Sequence, residues 1–124
     1  MSEVYCLDTN FILSYFVRND ENHKPAQDGF KNLPNTAYII VPILVLGELS
    51  IKQETIKLVD GVKILADEII VSTLADMDRI YAMDPKVRGS LKVVDCFILA
   101  MCQRFKAELL TFDKKLYKAH QTIS

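Results

Sequence analysis

Short apolar runs alternate with longer amphipathic segments along the whole chain. The runs have the length and the β-branched residues of buried strands, whereas the longer segments repeat their apolar residues at helical spacing. Strands are predicted at residues 4–7, 37–41, 68–72 and 108–112. Helices are predicted at residues 11–17, 23–33, 42–53, 55–67, 74–83 and 93–105, and a last helix begins at residue 114.

Regular alternation of strand and helix is typical of an α/β domain with a mainly parallel sheet and helices on both faces. The second strand, Ala-Tyr-Ile-Ile-Val, is apolar throughout, as expected for a parallel strand that is covered on both sides. A chain of 124 residues can form one domain that buries roughly two thirds of its unfolded surface. We therefore expect a single domain over residues 1–124.

The segment 55–67 is predicted as one amphipathic helix in which Ile56, Val59, Ile64 and Leu65 face the core, although Gly61 lowers its helix propensity. The helix before Pro85 is followed by a predicted loop over residues 84–90, Asp-Pro-Lys-Val-Arg-Gly-Ser. The helix at residues 11–17 has more apolar surface than one buried face needs. We expect part of it to contact a second subunit or another protein.

Composition indicates a compact globule, because 50% of the residues are apolar. Charged residues interrupt every apolar stretch before the ~18 residues that span a bilayer. The N-terminus does not have the basic and apolar segments of a signal peptide, so we expect a cytoplasmic protein. The formal net charge of −1 provides no general attraction to nucleic acid.

The cysteines are not spaced for a zinc site. Cys6, Cys96 and Cys102 form no C-x-x-C pair, and His23 and His120 are isolated from them in sequence. We expect all three cysteines to be reduced, small hydrophobic residues.

Four carboxylates occur in comparable positions. Asp8 and Asp113 directly follow predicted strands, while Glu48 and Asp95 lie on predicted helices beside apolar residues. The carboxyl ends of parallel strands share one edge of the sheet, where open α/β sheets bind their ligands. All four carboxylates can therefore converge at that edge.

Each of these side chains also has a purely structural explanation. Asp8 or Asn10 can cap the helix that follows, and Asp95 can be a helix N-cap. Glu48 can form an exposed ion pair with Lys52, four residues on. The sequence leaves both explanations open.

Carboxylates that converge need compensation, because like charges raise one another's pKa. The available ligands are hard oxygens, with Thr9, Asn10 and Thr111 as neutral neighbours, and such ligands suit Mg²⁺ or Mn²⁺ rather than zinc. The expected chemistry is metal-assisted hydrolysis of a phosphodiester bond.

A polyanionic substrate has to be held locally by a few basic residues or by a bound cation. The 84–90 segment contains the clearest basic cluster, and two lysines follow the last acidic position. The candidates for binding phosphates are Lys86, Arg88, Lys92, Lys114 and Lys115. The alternative is that the 84–90 segment is only a solvated connection.

The motifs resemble those of the PIN-domain ribonucleases, and especially of the VapC-like toxins of bacterial and archaeal toxin–antitoxin pairs. The resemblance rests on Leu-Asp-Thr-Asn at 7–10, Leu-Gly-Glu-Leu at 46–49, Asp-Cys-Phe-Ile-Leu-Ala at 95–100 and Leu-Leu-Thr-Phe-Asp at 109–113. Each motif is short, but their order and spacing make the match specific. The resemblance covers essentially the whole chain.

The resemblance implies a three-layer α/β/α sandwich, Mg²⁺- or Mn²⁺-dependent endoribonuclease activity, frequent homodimers and a small antitoxin that blocks the site. Asp8, Glu48, Asp95 and Asp113 match the acidic positions of the family, and Asn10 and Thr111 match its polar supporting positions. Where family members often have a further acid or an aromatic residue, this chain has Lys114-Lys115-Leu116, which puts a fifth acidic ligand in doubt.

Three alternatives come from other functional classes. A receiver-like signalling domain would need a second acid beside Asp8 and a lysine after the last strand, where this chain has Asp113. A catalytically silent PIN-like domain that binds RNA or protein remains open. An α/β domain whose acids are only helix caps and surface charges also remains open. Metal binding separates this last class from the others, and RNA cleavage separates an enzyme from a silent domain.

Overall fold

Four parallel strands form the central sheet of the computed structural model, which describes residues 3–123. They are β1 (Val4–Leu7), β2 (Tyr38–Pro42), β3 (Glu68–Ile70) and β4 (Glu108–Leu110), in the spatial order β3-β2-β1-β4. In register, Tyr5 of β1 lies opposite Ile39 of β2 on one side and Glu108 of β4 on the other. All four predicted strands are confirmed, although β3 and β4 end two residues earlier than predicted. Residues 1, 2 and 124 of the predicted domain lie outside the described range.

Helices connect the strands throughout the described chain. They are α1 (Thr9–Phe16), α2 (His23–Lys31), α3 (Ile43–Ile51), α4 (Gln53–Ile56), α5 (Val59–Leu65), α6 (Leu74–Ala82), α7 (Pro85–Gly89), α8 (Val93–Phe105) and α9 (Lys114–Ile123). Several helices begin at polar caps. Asp8 caps α1, and Thr73 and Asp76 form a reciprocal capping box at the start of α6.

The order of the strands determines which face each helix covers. From β1 through β2 to β3 the chain steps in one direction, so right-handed crossovers place α1–α5 on one face of the sheet. The chain then returns past β2 and β1 to β4, which places α6–α8 on the other face. The helix contacts agree with this assignment of two layers, because α1 contacts α2 and α3 while α8 contacts α6 and α9. The predicted three-layer α/β/α sandwich with a parallel sheet is confirmed.

The core lies between the sheet and these two helical layers. Leu7, Ile40 and Val41 from the central strands are fully buried, as are Leu99 and Met101 from α8. The three cysteines are free and buried, as the sequence predicts. Within residues 3–123 no helix is long and apolar enough to cross a membrane.

The prediction of a single helix over residues 55–67 is wrong. The segment forms α4 and α5, with a break at residues 57 and 58. Val62 is fully buried instead, whereas the side chains of Ile56 and Ile64, predicted to face inward, are exposed. Gly61 explains part of this arrangement, because a Cβ at that position would lie 3.1 Å from a ring carbon of Phe16. Glycine therefore allows α5 to approach α1 closely.

The predicted loop at residues 84–90 contains the short helix α7. The Asp84 side chain accepts a hydrogen bond of 2.8 Å from the Lys86 backbone N–H, and Pro85 occupies the first helical position. A proline there suits a helix, because the first N–H groups of a helix have no partner within it.

Part of the surplus apolar surface expected on α1 packs against this chain, whereas Leu13, Tyr15 and Phe16 stay partly accessible. Ile12 is fully buried, and the Tyr15 ring contacts the rings of Phe16 and Phe30 edge-on. Exposed apolar side chains occur instead on α6, where Leu74, Met77 and Tyr81 share one face at helical spacing and are 84%, 52% and 81% exposed. These three residues are called the α6 stripe below.

A buried ion pair joins α6 to α8. Asp76 is fully buried, and its Oδ1 lies 3.1 Å from Nε of Arg104. These two atoms are close but are not aligned as a hydrogen bond. The Nη2 atom of Arg104 instead donates to Oδ2 of Asp76 at 3.2 Å and to the Val71 carbonyl at 3.0 Å. The pair holds α6 against α8, the helix that carries Asp95.

Replacing Arg104 removes the positive charge that compensates the buried Asp76 carboxylate. We expect Arg104→Met to lower the free energy of unfolding by roughly 3–5 kcal/mol. The matched control is Lys24→Met, which breaks the exposed Lys24–Asp28 pair and should cost less than about 1 kcal/mol. Urea denaturation measures both values. Equal losses for the two variants would contradict this role of the buried pair.

Candidate active site

Asp8 is buried where the central strand β1 ends and α1 begins. Its side chain is 4% exposed, and its Oδ1 accepts a hydrogen bond of 2.9 Å from the Phe11 backbone N–H. Asp8 is therefore the N-cap of α1, which was the structural explanation considered from the sequence. The same carboxylate lies at the carboxyl edge of the sheet beside β4, so capping does not exclude a role in a site.

Hydrogen bonds connect the ends of β1 and β4 around this carboxylate. The Thr111 hydroxyl donates to Oδ2 of Asp8, and the Asn10 Oδ1 accepts from the Phe112 backbone N–H at 3.1 Å. The Thr111 oxygen also accepts from the Asp113 backbone N–H at 3.0 Å. Thr111 and Asn10 thus hold the chain between β4 and Asp113 against the start of α1.

Glu48 reaches the same region from α3. Its carboxylate is partly buried and accepts a hydrogen bond from the Thr9 hydroxyl, in the first turn of α1. The ion pairs within residues 3–123 do not include the Glu48–Lys52 pair considered as an alternative. Glu48 is therefore oriented by Thr9, next to Asp8 in sequence.

The other two carboxylates lie at helix starts. Asp95 is the third residue of α8, whose N-cap position is Lys92, so Asp95 is not itself the N-cap. Asp113 directly precedes α9, and its Oδ1 accepts hydrogen bonds from the backbone N–H groups of Lys115 and Leu116 at 3.0 and 3.1 Å. Both side chains are half-buried.

The carboxylates are close enough to affect one another's ionisation. The pKa of Asp8 is raised from 3.8 to about 7, chiefly because burial removes water from the carboxylate, and the charges of Asp95 and Asp113 add to the rise. Hydrogen bonds from Thr111 and Phe11 oppose it. Burial also raises the pKa of Asp95, with further contributions from the charges of Asp113 and Glu48. The structure thus brings the four predicted acids together.

The four carboxylates have the oxygen atoms that a hard divalent cation prefers, but they do not surround a common position for such an ion. In residues 3–123 no group of three or more His, Cys, Asp or Glu side chains is placed to hold a metal ion. Asp8, Glu48 and Asp113 each accept a hydrogen bond in this arrangement. An ionised carboxylate that accepts a hydrogen bond keeps further lone pairs, so these contacts are compatible with a bound cation, which would relieve the repulsion at Asp8 and Asp95.

The five predicted phosphate-binding residues do not form one group. Lys86 and Lys115 line a common cavity of about 200 Å³ between α7 and α9, whereas Lys92 and Lys114 are exposed outside it. Arg88 is directed to α6, where a guanidinium nitrogen donates to the Tyr81 carbonyl at 3.0 Å and the group lies over the Tyr81 ring.

Sequence reasoning missed Lys118, which lines the cavity together with Lys86 and Lys115. The available signal was its position three residues after Lys115, which places both lysines on one face of a helix. A larger cavity of about 430 Å³ lies near the start of β4, among Arg79, Lys106 and His120. It is at the opposite edge of the sheet from Asp113, so it is not the acidic site.

Comparison with known proteins gives a family and a fold. The family model of the PIN domain matches residues 5–121 of the chain. None of the curated protein sequences is similar enough to match it.

The fold is shared with solved structures of toxins. Mycobacterium tuberculosis VapC20, described as a toxin that cleaves the sarcin–ricin loop, has a TM-score of 0.73 at 17% identity, over 93% of this chain and 94% of that chain. A toxin–antitoxin complex from Klebsiella pneumoniae has a TM-score of 0.67 at 20% identity, over 94% and 90% of the two chains. VapBC2 from Rickettsia felis, bound to a DNA fragment from their promoter, has a TM-score of 0.66 at 17% identity, over 94% and 92%.

The raised pKa of Asp8 predicts how the stability of the metal-free protein depends on pH. Between the ordinary pKa of 3.8 and about 7 the folded protein retains a proton that the unfolded chain has released. Stability should therefore fall as pH rises through this window, by roughly 2–4 kcal/mol in total. Urea denaturation at pH 5 and pH 8 in EDTA measures the fall.

Asp8→Asn should flatten this dependence and stabilise the protein at pH 8, because asparagine also caps helices and carries no charge. Asp84→Asn is the matched control, since Asp84 is an exposed N-cap of α7. Identical pH dependence in the wild type and Asp8→Asn would contradict the assignment of the effect to Asp8.

Proposed function

The chain belongs to the PIN domain family, and we propose that it is a divalent-metal-dependent endoribonuclease that acts as the toxin of a toxin–antitoxin pair. The observation that carries the proposal is the group of four carboxylates, Asp8, Glu48, Asp95 and Asp113, at the carboxyl edge of the sheet. A structural role alone does not explain this group, because burial and acidic neighbours raise the pKa values of Asp8 and Asp95.

PIN domain nucleases generally use divalent metal ions. In this chain Asp8, Glu48, Asp95 and Asp113 are the residues that would hold Mg²⁺ or Mn²⁺. When bound there, the ion would supply an activated water for attack on a phosphodiester and would stabilise charge on the leaving oxygen.

The protein contributes orientation and electrostatics to this chemistry. Thr111 and the start of α1 fix the Asp8 carboxylate, and Thr9 fixes that of Glu48. Asp113 is held by the first N–H groups of α9. Carboxylates that are positioned before substrate arrives need little reorganisation during the reaction, which is the usual basis of electrostatic catalysis.

The proposed substrate is single-stranded or loop RNA. The carboxylates lie at an open edge of the sheet, and an unpaired backbone can approach such an edge more closely than a regular duplex can. A loop substrate also agrees with VapC20, which is described as a toxin that cleaves the sarcin–ricin loop. The proposed location is the cytoplasm, where such RNA occurs.

A second candidate is a catalytically silent PIN-like domain that binds RNA or protein. The observation that favours it is the arrangement of the carboxylates within residues 3–123, which face hydrogen-bond donors rather than a common metal position. Because a fold can persist after its activity is lost, this candidate has to be tested by activity.

The proposed partners are a small antitoxin and a second copy of the chain. An acidic edge is accessible to a basic side chain, and one arginine can bind two carboxylates at once. An antitoxin with a basic tail would therefore inhibit by occupying the proposed metal ligands. A small adjacent gene that encodes such a protein would identify this partner.

Cleavage of RNA tests the main proposal. We expect the wild type to cut a single-stranded RNA in Mn²⁺ and to stop in EDTA. Asp95→Asn should lower the rate at least about 100-fold, since it removes a proposed metal ligand from a half-buried position. Asp60→Asn, at an exposed position on α5, is the control that should cut at the rate of the wild type.

Thermal melts separate metal binding from fold stability in the same proteins. Mn²⁺ should raise the melting temperature of the wild type by binding the folded state, and it should do so less for Asp95→Asn. Equal cleavage by the wild type and Asp95→Asn would refute the proposed site. A wild type that binds RNA without cutting it would establish the silent alternative.

The homodimer is proposed to form through the α6 stripe, because its three apolar side chains are more exposed than those of α1. We expect the wild type to sediment as a dimer and Leu74→Glu to sediment as a monomer, since a charge in an apolar interface is costly. Ile64→Glu, on another exposed side chain that is 86% accessible, is the control and should remain a dimer. A monomeric wild type would exclude the dimer, and a dimeric Leu74→Glu would exclude this surface.

A further inference from the structure

We propose that Lys86, Lys115 and Lys118 form a pocket for a phosphate of the RNA that lies beside the one that is cut. The three lysines, called the lysine pocket here, line one cavity of about 200 Å³ between α7 and α9. The proposal rests on the proposed nuclease function and adds a substrate-binding position to it.

The charge of the pocket is uniform. Its other lining residues are Val87, Ser90, Ala119 and Thr122, so no carboxylate neutralises the lysines from within the cavity. The protein as a whole carries a net charge of −1, which makes this local concentration of positive charge distinct from the average surface. Like charges on three neighbouring lysines repel one another, and an anion bound between them would reduce that repulsion.

The hydroxyl groups in the wall do not change this preference. Ser90 donates to the Val87 carbonyl at 2.8 Å, and Thr122 donates to the Lys118 carbonyl at 2.9 Å. Their protons are therefore already used, which leaves the three lysines as the candidate donors to a ligand in the pocket. Lysine binds phosphate as a mobile point charge, without the bidentate geometry that arginine requires.

The elements that form the pocket also carry two of the proposed metal ligands. Helix α9 begins directly after Asp113, and the Lys115 backbone N–H donates to its carboxylate at 3.0 Å. Helix α7 leads into α8, which carries Asp95, and the Cys96 thiol contacts the Arg88 carbonyl at 3.7 Å. The pocket is thus adjacent to the acidic site, and one RNA strand can occupy both.

Adjacency to the acidic site favours RNA over an acidic protein segment. A strand whose scissile phosphate lies among carboxylates needs positive charge close by, and the lysine pocket provides it within the same helices. Lys118 is the decisive residue, because it lies one turn beyond Lys115 and has no other assigned role.

Binding of a labelled single-stranded RNA tests the pocket. Fluorescence anisotropy is measured over a range of KCl concentrations in EDTA, in the full chain with Asp95→Asn to prevent cleavage. Lys118→Gln should weaken binding several-fold and lower the slope of log K against log salt by about 0.7, the value for one phosphate contact on a single strand. Lys63→Gln, which removes the same charge from an exposed position on α5, should change neither quantity.

A double variant tests whether the lysines share one phosphate. If they do, Lys86→Gln combined with Lys118→Gln should lower the slope by less than the sum of the single changes. Equal binding by Lys118→Gln and Lys63→Gln would overturn the proposal, as would the absence of RNA binding at low salt. Binding of a poly-glutamate peptide that depends on Lys118 and that RNA does not displace would overturn it in favour of an acidic protein partner.

The outcomes for the pocket and for the nuclease are distinguishable. Lysine-dependent RNA binding together with a wild type that never cuts RNA would support the pocket and refute the nuclease. Cleavage by the wild type together with equal RNA binding by Lys118→Gln and Lys63→Gln would support the nuclease and refute the pocket.

Discussion

The burial of the Asp8 carboxylate is the constraint on which the site depends. A carboxylate that is 4% exposed ionises only at a cost, and the negative charges of Asp95 and Asp113 add to that cost. The N-terminus of α1 and the Thr111 hydroxyl offset part of it. The same side chain therefore caps a helix and stores unfavourable electrostatic energy that a proton or a cation can release. The structural and functional explanations of Asp8 are complementary.

The strand order places this carboxylate at the point where the direction of the chain across the sheet changes. β1 has β2 on one side and β4 on the other, so helices leave its carboxyl edge toward opposite faces and open a crevice there. Asn10 and Thr111 close the junction across residues that are about a hundred positions apart in sequence. The buried Asp76–Arg104 pair holds the layer that supplies Asp95. Long-range hydrogen bonds thus position Asp8 and Glu48, whereas Asp113 is held by the first N–H groups of its own helix.

A net charge near zero conceals a separation of charge on the surface. Carboxylates concentrate at the edge beside β1 and β4, while Lys86, Lys115 and Lys118 line the adjacent cavity between α7 and α9. A strand of RNA placed across both would meet repulsion from the acids and attraction from the lysines. The proposed cation reduces the first, and the lysine pocket supplies the second. Neither effect follows from the overall charge, because electrostatic forces at these distances depend on the nearest groups.

The sequence alone predicted the α/β class, the four strands and both ends of α8. It also predicted that four carboxylates lie at one edge of the sheet. Apolar periodicity and the residues that follow strands are local properties, so they can be read from the sequence. Tertiary structure decided which face of α5 is buried and which basic side chains share a surface. Ile64 is exposed because α5 turns Val62 inward where Gly61 meets Phe16. Arg88, which was predicted to bind phosphate, contacts Tyr81 instead, and Lys118, which was not predicted, lies beside Lys86 and Lys115. These outcomes depend on contacts between residues far apart in the chain, which local spacing does not encode.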